Sequence, residues 1–433
     1  MFETILKNNE KVNDQGVPWS FLFLNKGDHS SMQKVYIAGA KRTPIGSFLG
    51  ALKDVSASDL GKTAIQGVIA QSGIDPTEVN EVSLGNVLPA GQGQGVARQA
   101  SIKAGIPETV PAYSTNMVCG SGLKTVMNAF LGIRAGEYNA VIAGGTESMS
   151  QAPYLIPNRA RNGIKMGGFQ TLDHMVHDGL TDAFEGYHMG ITAENIAEQY
   201  GISREDQDAF AFDSQKKAIE ALDEGLFKDE VIPVKWTSRR KEEMVVNTDE
   251  YPNRKANLEK MQSLRPAFKK EGTVTAANAS GLNDGASATL IVGEEYLNEK
   301  GFQPLAEIVA IGQGGVDPSI MGMGPVPAVK QALKKSGLSF EDIDAFELNE
   351  AFASQSLAVV HELADAFDAD EEGLKEKTNI HGGAISLGHP IGASGNRILV
   401  TLLYTLKRKG LKYGIASLCI GGGMGAAVVI RNI

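Results

Sequence analysis

Hydrophobic residues follow two spacings along most of this chain. Short apolar runs, such as those at residues 35–38 and 139–144, are typical of buried strands, and residues 81–88 also have a strand-like pattern. Between such runs, apolar residues recur every three or four positions, as they do over 57–72 and 123–130, which predicts helices packed on a sheet. This alternation predicts an α/β layered architecture.

The pattern changes between residues 153 and 282. This stretch carries more charge and includes a highly charged helix candidate over 205–224. We interpret it as a loop domain inserted into an N-terminal half, which covers 32–152 and is completed by about 283–303. A C-terminal half then covers 304–433.

The two halves resemble each other in sequence and in the order of their motifs. Three pairs of segments can be aligned: 82–87 with 346–351, 119–122 with 392–395, and 141–146 with 417–422. Their order and approximate spacing are retained, which indicates an internal duplication. Because duplicated α/β units place equivalent loops face to face, Cys119 and Cys419 are expected to meet.

Composition narrows the function further. The chain has 433 residues, a formal net charge of −10 and only two cysteines. The negative charge argues against a general nucleic-acid binder, although local cations and helix N-termini can still hold an anionic small ligand. Two cysteines cannot form a disulfide scaffold, and no apolar stretch reaches the ~18–20 residues of a membrane helix. We therefore expect a cytoplasmic protein that binds neither nucleic acid nor membrane.

We interpret residues 1–31 as an N-terminal extension. The segment lacks a secretory pattern, and its mixture of Asn, Lys, Asp and Gly is typical of a disordered tail. The alternative is a mis-assigned start, because a buried-strand pattern begins abruptly after Met32 and residues 26–28 can be encoded by a purine-rich ribosome-binding sequence. N-terminal sequencing of the native protein distinguishes the two.

Cys119 and His389 lie in glycine-rich loops that precede helices. The N-terminus of a helix favours a thiolate at Cys119, and the flanking glycines let a substrate and backbone N–H groups approach the sulfur. His389, between Gly388 and Pro390, can take the proton of a nearby thiol as a neutral imidazole. His381, in the same segment, is expected to be structural.

Cys419 ends a short apolar strand and is followed by three glycines. Since one nucleophile is enough to carry an acyl group, a second thiol can instead give or remove a proton at carbon or sulfur. The backbone N–H groups from Gly421 onward can line an oxyanion hole. Asn349 is expected to begin a helix, where it can hold a water against a carbonyl oxygen or act as an N-cap, and Glu350 can orient neighbouring groups.

Together these motifs resemble the thiolase family. Val-Cys-Gly-Ser-Gly at 118–122, Asn-Glu-Ala-Phe-Ala at 349–353, Gly-His-Pro-Ile-Gly at 388–392 and Cys-Ile-Gly-Gly-Gly-Met-Gly at 419–425 occur in the family's order. The resemblance extends from about Met32 to the C-terminus and is strongest to the biosynthetic branch, the acetyl-CoA C-acetyltransferases. It implies the thiolase fold, which is an α/β fold with a duplicated five-layered αβαβα core and an inserted loop domain.

The resemblance also implies a reaction. Cys119, activated by His389, would be acetylated by acetyl-CoA. A second acetyl-CoA would lose an α-proton to Cys419 and attack the acetyl group, giving acetoacetyl-CoA and CoA in a ping-pong Claisen condensation. One oxyanion hole would use His389 with a water held by Asn349, and the other the N–H groups of Cys119 and Gly421. The CoA thioesters are substrates, no prosthetic group or metal is implied, and the family implies a homotetramer formed as a dimer of dimers.

The resemblance places the CoA contacts on twelve further positions. They are Leu180, His188, Met189, Arg240, Phe268, Ala276, Ala279, Ser280, Leu282, Met321, Ala351 and Phe352. Arg240 is the expected phosphate ligand, although Arg239 is an equally good cation one position away. Ala277 and His381 replace a Gly and an Asn that are common in the family, which leaves the acyl chain-length preference open.

Three other functions are alternatives. A degradative 3-ketoacyl-CoA thiolase would act on longer chains, whereas His188, Met189 and the loop that contains Met321 favour the short-chain type. A ketoacyl-carrier-protein synthase would need a second catalytic histidine in place of Asn349. A non-catalytic CoA- or lipid-binding relative would be expected to have lost one of the two thiols or His389, and this chain retains all three.

Overall fold

The computed structural model describes residues 33–433. Its strands are β1 (Val35–Arg42), β2 (Gly46–Ser47), β3 (Glu81–Gly85), β4 (Ala112–Thr115), β5 (Ala140–Ser148), β6 (Tyr154–Leu155), β7 (Leu172–Asp173), β8 (Val234–Thr237), β9 (Glu243–Val246), β10 (Asn283–Gly293), β11 (Ala306–Gly315), β12 (Ala345–Leu348), β13 (Tyr413–Ile420) and β14 (Met424–Asn432). Its α-helices are α1 (Ala57–Ser72), α2 (Val96–Ala104), α3 (Ser121–Arg134), α4 (Met189–Tyr200), α5 (Arg204–Asp223), α6 (Leu258–Gln262), α7 (Glu294–Lys300), α8 (Pro325–Ser336), α9 (Ala353–Phe367), α10 (Glu371–Lys377), α11 (Ala384–Leu387) and α12 (Ser394–Lys409).

The central sheet repeats one arrangement of strands. Its order is β12-β13-β14-β11-β1-β10-β5-β3-β4, with β2 paired to β10. In the first half β3 is parallel to β5, which is antiparallel to β10, which is antiparallel to β1. In the second half β12, β13, β14 and β11 follow with the same directions. The predicted duplication is therefore confirmed, and an antiparallel pairing of β1 with β11 joins the halves into one sheet.

Five layers follow from this repeat. Helices α3 and α12 are equivalent elements of the two halves, and they pack on each other between the halves of the sheet, where Leu123, Phe130 and Leu402 share one apolar cluster with Val428. Helices α1 and α2 cover the outer face of the first half, and α8 and α9 cover that of the second. The sequence prediction of a duplicated αβαβα core is confirmed.

Two elements differ from the sequence prediction at their ends. Strand β3 ends at Gly85 rather than at residue 88, because the N–H groups of Val87 and Leu88 bind the carboxylate of Glu147 instead of a neighbouring strand. Strand β5 continues beyond residue 144 to Ser148, which brings that carboxylate to the end of the sheet.

Helix α9 begins at Ala353, not at Asn349 as expected. The residues before it are extended: Phe352 pairs with Ala279, and the N–H of Ser280 donates to the carbonyl of Ala351. The N-cap position is Phe352, so Asn349 is not an N-cap.

The excursion between the halves contains β6–β9 and α4–α6. The charged helix predicted over 205–224 is confirmed as α5, which Ser203 caps by accepting from the N–H of Asp206. The domain boundaries stay predictions, and those made for residues 1–31 and Met32 lie outside the described residues. Within 33–433, no helix is both long and apolar enough to span a membrane.

Candidate active site

Cys119 lies on a strained turn between β4 and α3. The preceding residue, Val118, has φ 46°, a left-handed conformation that is uncommon for a β-branched residue. Side chains on both sides hold it: Asn116 Oδ1 accepts from the N–H of Val118 at 3.0 Å, and Ser121 Oγ donates to its carbonyl at 2.6 Å. Ser121 Oγ also accepts from Met117 N at 2.8 Å. Strain of this kind is maintained at functional sites.

The two thiols meet, as the duplication predicted. The N–H of Gly421, two residues after Cys419, donates to the sulfur of Cys119, and the charge of Cys119 contributes to raising the pKa of Cys419. Cys119 is partly exposed and Cys419 is buried. The site therefore combines one thiol from each half of the chain.

Cys119 is protonated when the site is free. Burial raises the pKa of its thiol to about 11, and the carboxylate of Glu147 adds to the increase, while the N–H groups of Gly421 and Cys119 oppose it. The helix N-terminus was predicted to favour a thiolate; the N–H groups at the sulfur act in that direction, but desolvation outweighs them. A base must therefore take the proton before the sulfur can attack.

His389 is suited to be that base. Ser394 Oγ donates to the carbonyl of Pro390 and lies 2.6 Å from His389 Nδ1, so it accepts from an Nδ1–H. This tautomer leaves a lone pair on Nε2, which has no hydrogen-bond partner among the described residues. Burial lowers the pKa of His389 to about 4, and the nearby Arg397 acts in the same direction. The imidazole is therefore neutral at pH 7. Ile391, two residues after His389, packs in the same apolar cluster as Cys119, so the loop that carries His389 lies beside the thiol.

Asn349 presents a buried amide at the end of β12. The residue is 1% exposed, and neither its Oδ1 nor its Nδ2 has a partner among residues 33–433. Buried amides are normally hydrogen-bonded, so both atoms are available to a water or substrate. The next residue, Glu350, accepts from Ser214 Oγ, Asn379 Nδ2 and the N–H of Ile385, and so orients three segments behind the site, as predicted.

Eight of the twelve residues predicted to contact CoA form two apolar walls, one beside each thiol. Beside Cys419 the structure clusters Met189, Phe268, Ala279, Met321, Ala351 and Phe352. Beside Cys119 it places Leu180 and Leu282. His188 caps α4 through Nδ1 and stacks on Phe268 with ring centroids 4.5 Å apart, while Ser280 is half-buried next to the first wall.

Arg240 and Ala276 lie apart from these walls. Arg239 and Arg240 are both exposed in the turn between β8 and β9, so the structure does not distinguish them. Ala276 lines a cavity of about 480 Å³ whose lining also includes Lys255 and Lys260. The sequence analysis did not select these two lysines, since no motif surrounds them.

The sequence analysis also missed three polar residues that position the active-site loops. Ser394 fixes the tautomer of His389, and Asn283 Oδ1 accepts from the N–H of His389 at 2.9 Å. Glu147 accepts from the N–H of Gly392 at 2.9 Å. A carboxylate that continues a buried strand was the available signal for Glu147, because buried charges need specific partners.

The chain matches the thiolase N-terminal domain over residues 35–295 and the thiolase C-terminal domain over 302–432. It belongs to the thiolase family. A probable acetyl-CoA acyltransferase of Staphylococcus aureus strain COL is 55% identical over 401 residues, which cover 93% of this chain and all of the relative. A relative from strain MRSA252 with the same description is 54% identical with the same coverage.

Two solved thiolase-fold structures are similar throughout. The crystal structure of the Bacillus anthracis acetyl-CoA acetyltransferase has a TM-score of 0.89 and 44% identity, covering 93% of this chain and 99% of that one. The acetyl-CoA acetyltransferase of Syntrophomonas wolfei has a TM-score of 0.89 and 42% identity, covering 93% and 100%. This thiolase therefore has its fold in common with both proteins along almost the whole described chain.

Proposed function

We propose that this thiolase is an acetyl-CoA acyltransferase that condenses two molecules of acetyl-CoA into acetoacetyl-CoA and CoA, reversibly. The observation that carries the proposal is the meeting of two thiols, one from each half, beside the loop that holds His389 as a neutral imidazole with a free Nε2. The relatives' descriptions as acetyl-CoA acyltransferase and acetyltransferase support the same substrate.

In the first half-reaction, His389 Nε2 takes the proton of Cys119. The sulfur attacks the thioester carbonyl, a bond forms between Cys119 and the acetyl carbon, and the bond between that carbon and the CoA sulfur breaks. The leaving CoA thiolate takes the proton of Cys419. The enzyme then holds an acetyl group on Cys119, an imidazolium at His389 and a thiolate at Cys419.

In the second half-reaction, the Cys419 thiolate removes an α-proton from a second acetyl-CoA. Burial raises the pKa of Cys419, so its thiolate is a strong base once formed. The carbanion attacks the acetyl carbon, the new carbon–carbon bond replaces the bond to Cys119, and His389 returns the proton to Cys119. All protons are then restored, and acetoacetyl-CoA leaves.

Both half-reactions develop negative charge on a carbonyl oxygen. The N–H groups of Cys119 and Gly421 converge at the reacting sulfur, which supports their role as one oxyanion hole. The buried amide of Asn349 has no hydrogen-bond partner among residues 33–433, which supports its proposed role of holding a water in the second oxyanion hole.

The nucleotide end of CoA is proposed to lie in the cavity lined by Lys255 and Lys260. Two observations support this location: the cavity adjoins the predicted contact Ala276, and its lysines supply positive charge for phosphates. Arg240 stays a prediction, because the exposed turn that carries it is compatible with a phosphate contact but does not line this cavity.

We also propose that the protein is a homotetramer built as a dimer of dimers. Strand β4 is an unpaired edge at one end of the sheet, and a separate group of exposed apolar side chains follows β5. A dimer of dimers needs two different interfaces, and these surfaces are candidates for them.

The deciding experiment is incubation with acetyl-CoA followed by peptide mass spectrometry of wild type, Cys119→Ala and Cys419→Ala. We expect an acetyl group on Cys119 in wild type and in Cys419→Ala, which should form no acetoacetyl-CoA, and none in Cys119→Ala. Absence of acetyl-Cys119 in wild type would refute the mechanism. Steady-state rates with ketoacyl-CoAs of increasing length test the substrate, and a preference for long chains would favour the degradative reaction.

A further inference from the structure

One buried carboxylate, that of Glu147, connects the first half of the chain to the loop that carries His389. Glu147 is fully buried at the end of β5. Its Oε2 accepts from the N–H groups of Val87 and Gly392, each at 2.9 Å. Its Oε1 accepts from Leu88 N at 3.1 Å and Asn86 Nδ2 at 3.0 Å. Glu147 therefore joins the first half of the chain to the loop that carries His389.

Close packing around the carbonyl of Gly392 also holds this loop in place. The carbonyl inserts where Gly85, Gly122 and Gly145 approach each other, and a Cβ atom on any of the three would lie no more than 2.9 Å from its oxygen. Gly122 is three residues after Cys119, so this contact sets the loop against the helix that follows the nucleophile. The N–H and the carbonyl of one residue are thus both held by the opposite half.

The ionised form of Glu147 suits this arrangement. All four of its partners donate an N–H, and an ionised carboxylate accepts from all of them without supplying a proton of its own. Burial raises the pKa of Glu147 to about 7, while the N–H groups of Val87, Leu88 and Gly392 oppose the increase. A neutral amide in its place would direct its NH₂ at some of these donors.

We propose that Glu147 is a positioning residue, which holds His389 in register with Cys119 by binding the N–H of Gly392. It touches neither the substrate nor the reacting atoms. The inference rests on the proposed function for its kinetic consequences, but the geometry that it explains is independent of the substrate.

The first test compares Glu147→Gln with Glu230→Gln. Glu230 is an equally buried carboxylate that binds Arg42 and Thr401 instead of an active-site loop. We expect both variants to lose thermal stability. In Glu147→Gln alone, the rate of single-turnover acetylation of Cys119 should fall about 10- to 100-fold, because a small misplacement of the base relative to the thiol slows the reaction by this much. KM for acetyl-CoA should change less than about threefold.

The second test asks whether the effect passes through His389. Adding Glu147→Gln to His389→Ala should reduce acetylation by no more than about twofold, because there is no imidazole left to position. An equal loss in both backgrounds would overturn the proposal, as would wild-type acetylation in a Glu147→Gln variant that is destabilised like Glu230→Gln.

Two further measurements separate this proposal from its premises. Alkylation of Cys119 by iodoacetamide needs no acyl-CoA, and Glu147→Gln should lose the same His389-dependent part of its rate as His389→Ala does. If Glu147→Gln loses this part of the alkylation rate but wild type is not acetylated by acetyl-CoA, the proposed function fails and the positioning role of Glu147 stands. If Glu147→Gln does not fold, the shorter carboxylate in Glu147→Asp replaces it, and a wild-type rate there would overturn the proposal.

Discussion

At the thiol of Cys119, burial and hydrogen bonding act in opposite directions. Desolvation favours the neutral thiol of Cys119, and the N–H groups of Gly421 and Cys119 favour the thiolate. The resulting balance, a raised pKa, suits the proposed mechanism, in which proton transfer to His389 accompanies attack. A thiol that stays protonated in the free enzyme is also protected from other electrophiles and oxidants.

This balance predicts how Cys119 reacts in the absence of substrate. In a His389→Ala variant, which lacks the proposed base, alkylation of Cys119 by iodoacetamide should accelerate about 100-fold between pH 7 and pH 9, because the thiolate fraction rises tenfold per pH unit below a pKa of about 11. Mass spectrometry of the Cys119 peptide measures the rate separately from Cys419. A rate in this variant that is already constant above pH 6 would instead indicate a preformed thiolate at Cys119.

His381 predicts a pH effect on stability. Burial lowers its pKa to about 4, and Arg408 and Lys409 contribute in the same direction. The folded protein therefore excludes a proton that the unfolded chain binds below pH 6.5, so stability present above that pH is lost as the pH falls towards 4. When the pH falls from 7 to 5, the free energy of unfolding should decrease by about 1–2 kcal/mol less in His381→Asn than in wild type.

Denaturant unfolding of both proteins at the two pH values measures this difference. The control is Asn at another histidine, His361→Asn, since His361 is an exposed residue paired with Glu371. An equal pH dependence in wild type and His381→Asn would show that His381 takes up its proton without opening the structure.

At the scale of elements, the turn between β8 and β9 and the segment around α6 offer alternative cations for CoA. The cavity beside Ala276 is lined by Lys255 and Lys260, whereas Arg239 and Arg240 project from the turn. We expect a Lys255→Ala, Lys260→Ala double variant to raise KM for acetyl-CoA about five- to tenfold, with kcat nearly unchanged, because a phosphate contact contributes to binding but not to the chemical step.

Arg240→Ala and Arg239→Ala are the matched comparisons. Each should change KM less than about twofold if the cavity holds the nucleotide. A larger increase in Arg240→Ala than in the lysine variant would locate the phosphates at the turn, as the family resemblance first implied.

The elements also show where the sequence was sufficient. Local sequence predicted α1 and α5 almost to the residue, α1 from its amphipathic spacing and α5 from its many charged residues, and the structure adds that Ser56 and Ser203 cap their first turns. Local sequence failed at the end of β3 and the start of α9, because long-range contacts set both boundaries. The Glu147 carboxylate binds the N–H groups that follow β3, and the pairing of Phe352 with Ala279 keeps the residues before α9 extended. Contacts of that kind leave no local pattern.

The site was predictable to a similar degree. Motifs could select Cys119, His389 and Cys419, because each carries a reactive side chain in a glycine-rich loop. They could also select Asn349, which follows a strand in the Asn-Glu-Ala-Phe-Ala segment. The positioning contacts of Glu147, Ser394 and the two cavity lysines depend on the fold of distant segments. The burial that outweighs the groups favouring a thiolate at Cys119 likewise depends on distant segments. Tertiary structure was needed for each of these.

The whole molecule presents two surfaces that a single chain leaves uncovered. Strand β4 ends the sheet, with Tyr113 exposed beside its open edge. Elsewhere, the segment containing β6 and β7 exposes several large apolar side chains: Tyr154, Ile156, Ile164, Met166, Phe169 and Leu172. A group of large exposed apolar side chains is typical of interaction sites. The two surfaces are distinct, which is what a tetramer with two kinds of interface requires.

We therefore expect a double variant of the second surface, Met166→Asp with Phe169→Asp, to convert a tetramer of the wild-type chain into a dimer. Met166 is 93% exposed, so the charges should be tolerated within one chain while they disrupt a contact between chains. Light scattering after size-exclusion chromatography measures the mass. Leu131→Asp, which places a charge on an exposed apolar residue of α3, should stay tetrameric. A wild-type monomer would contradict the assembly, and an unchanged tetramer in the double variant would assign the second interface to a different surface.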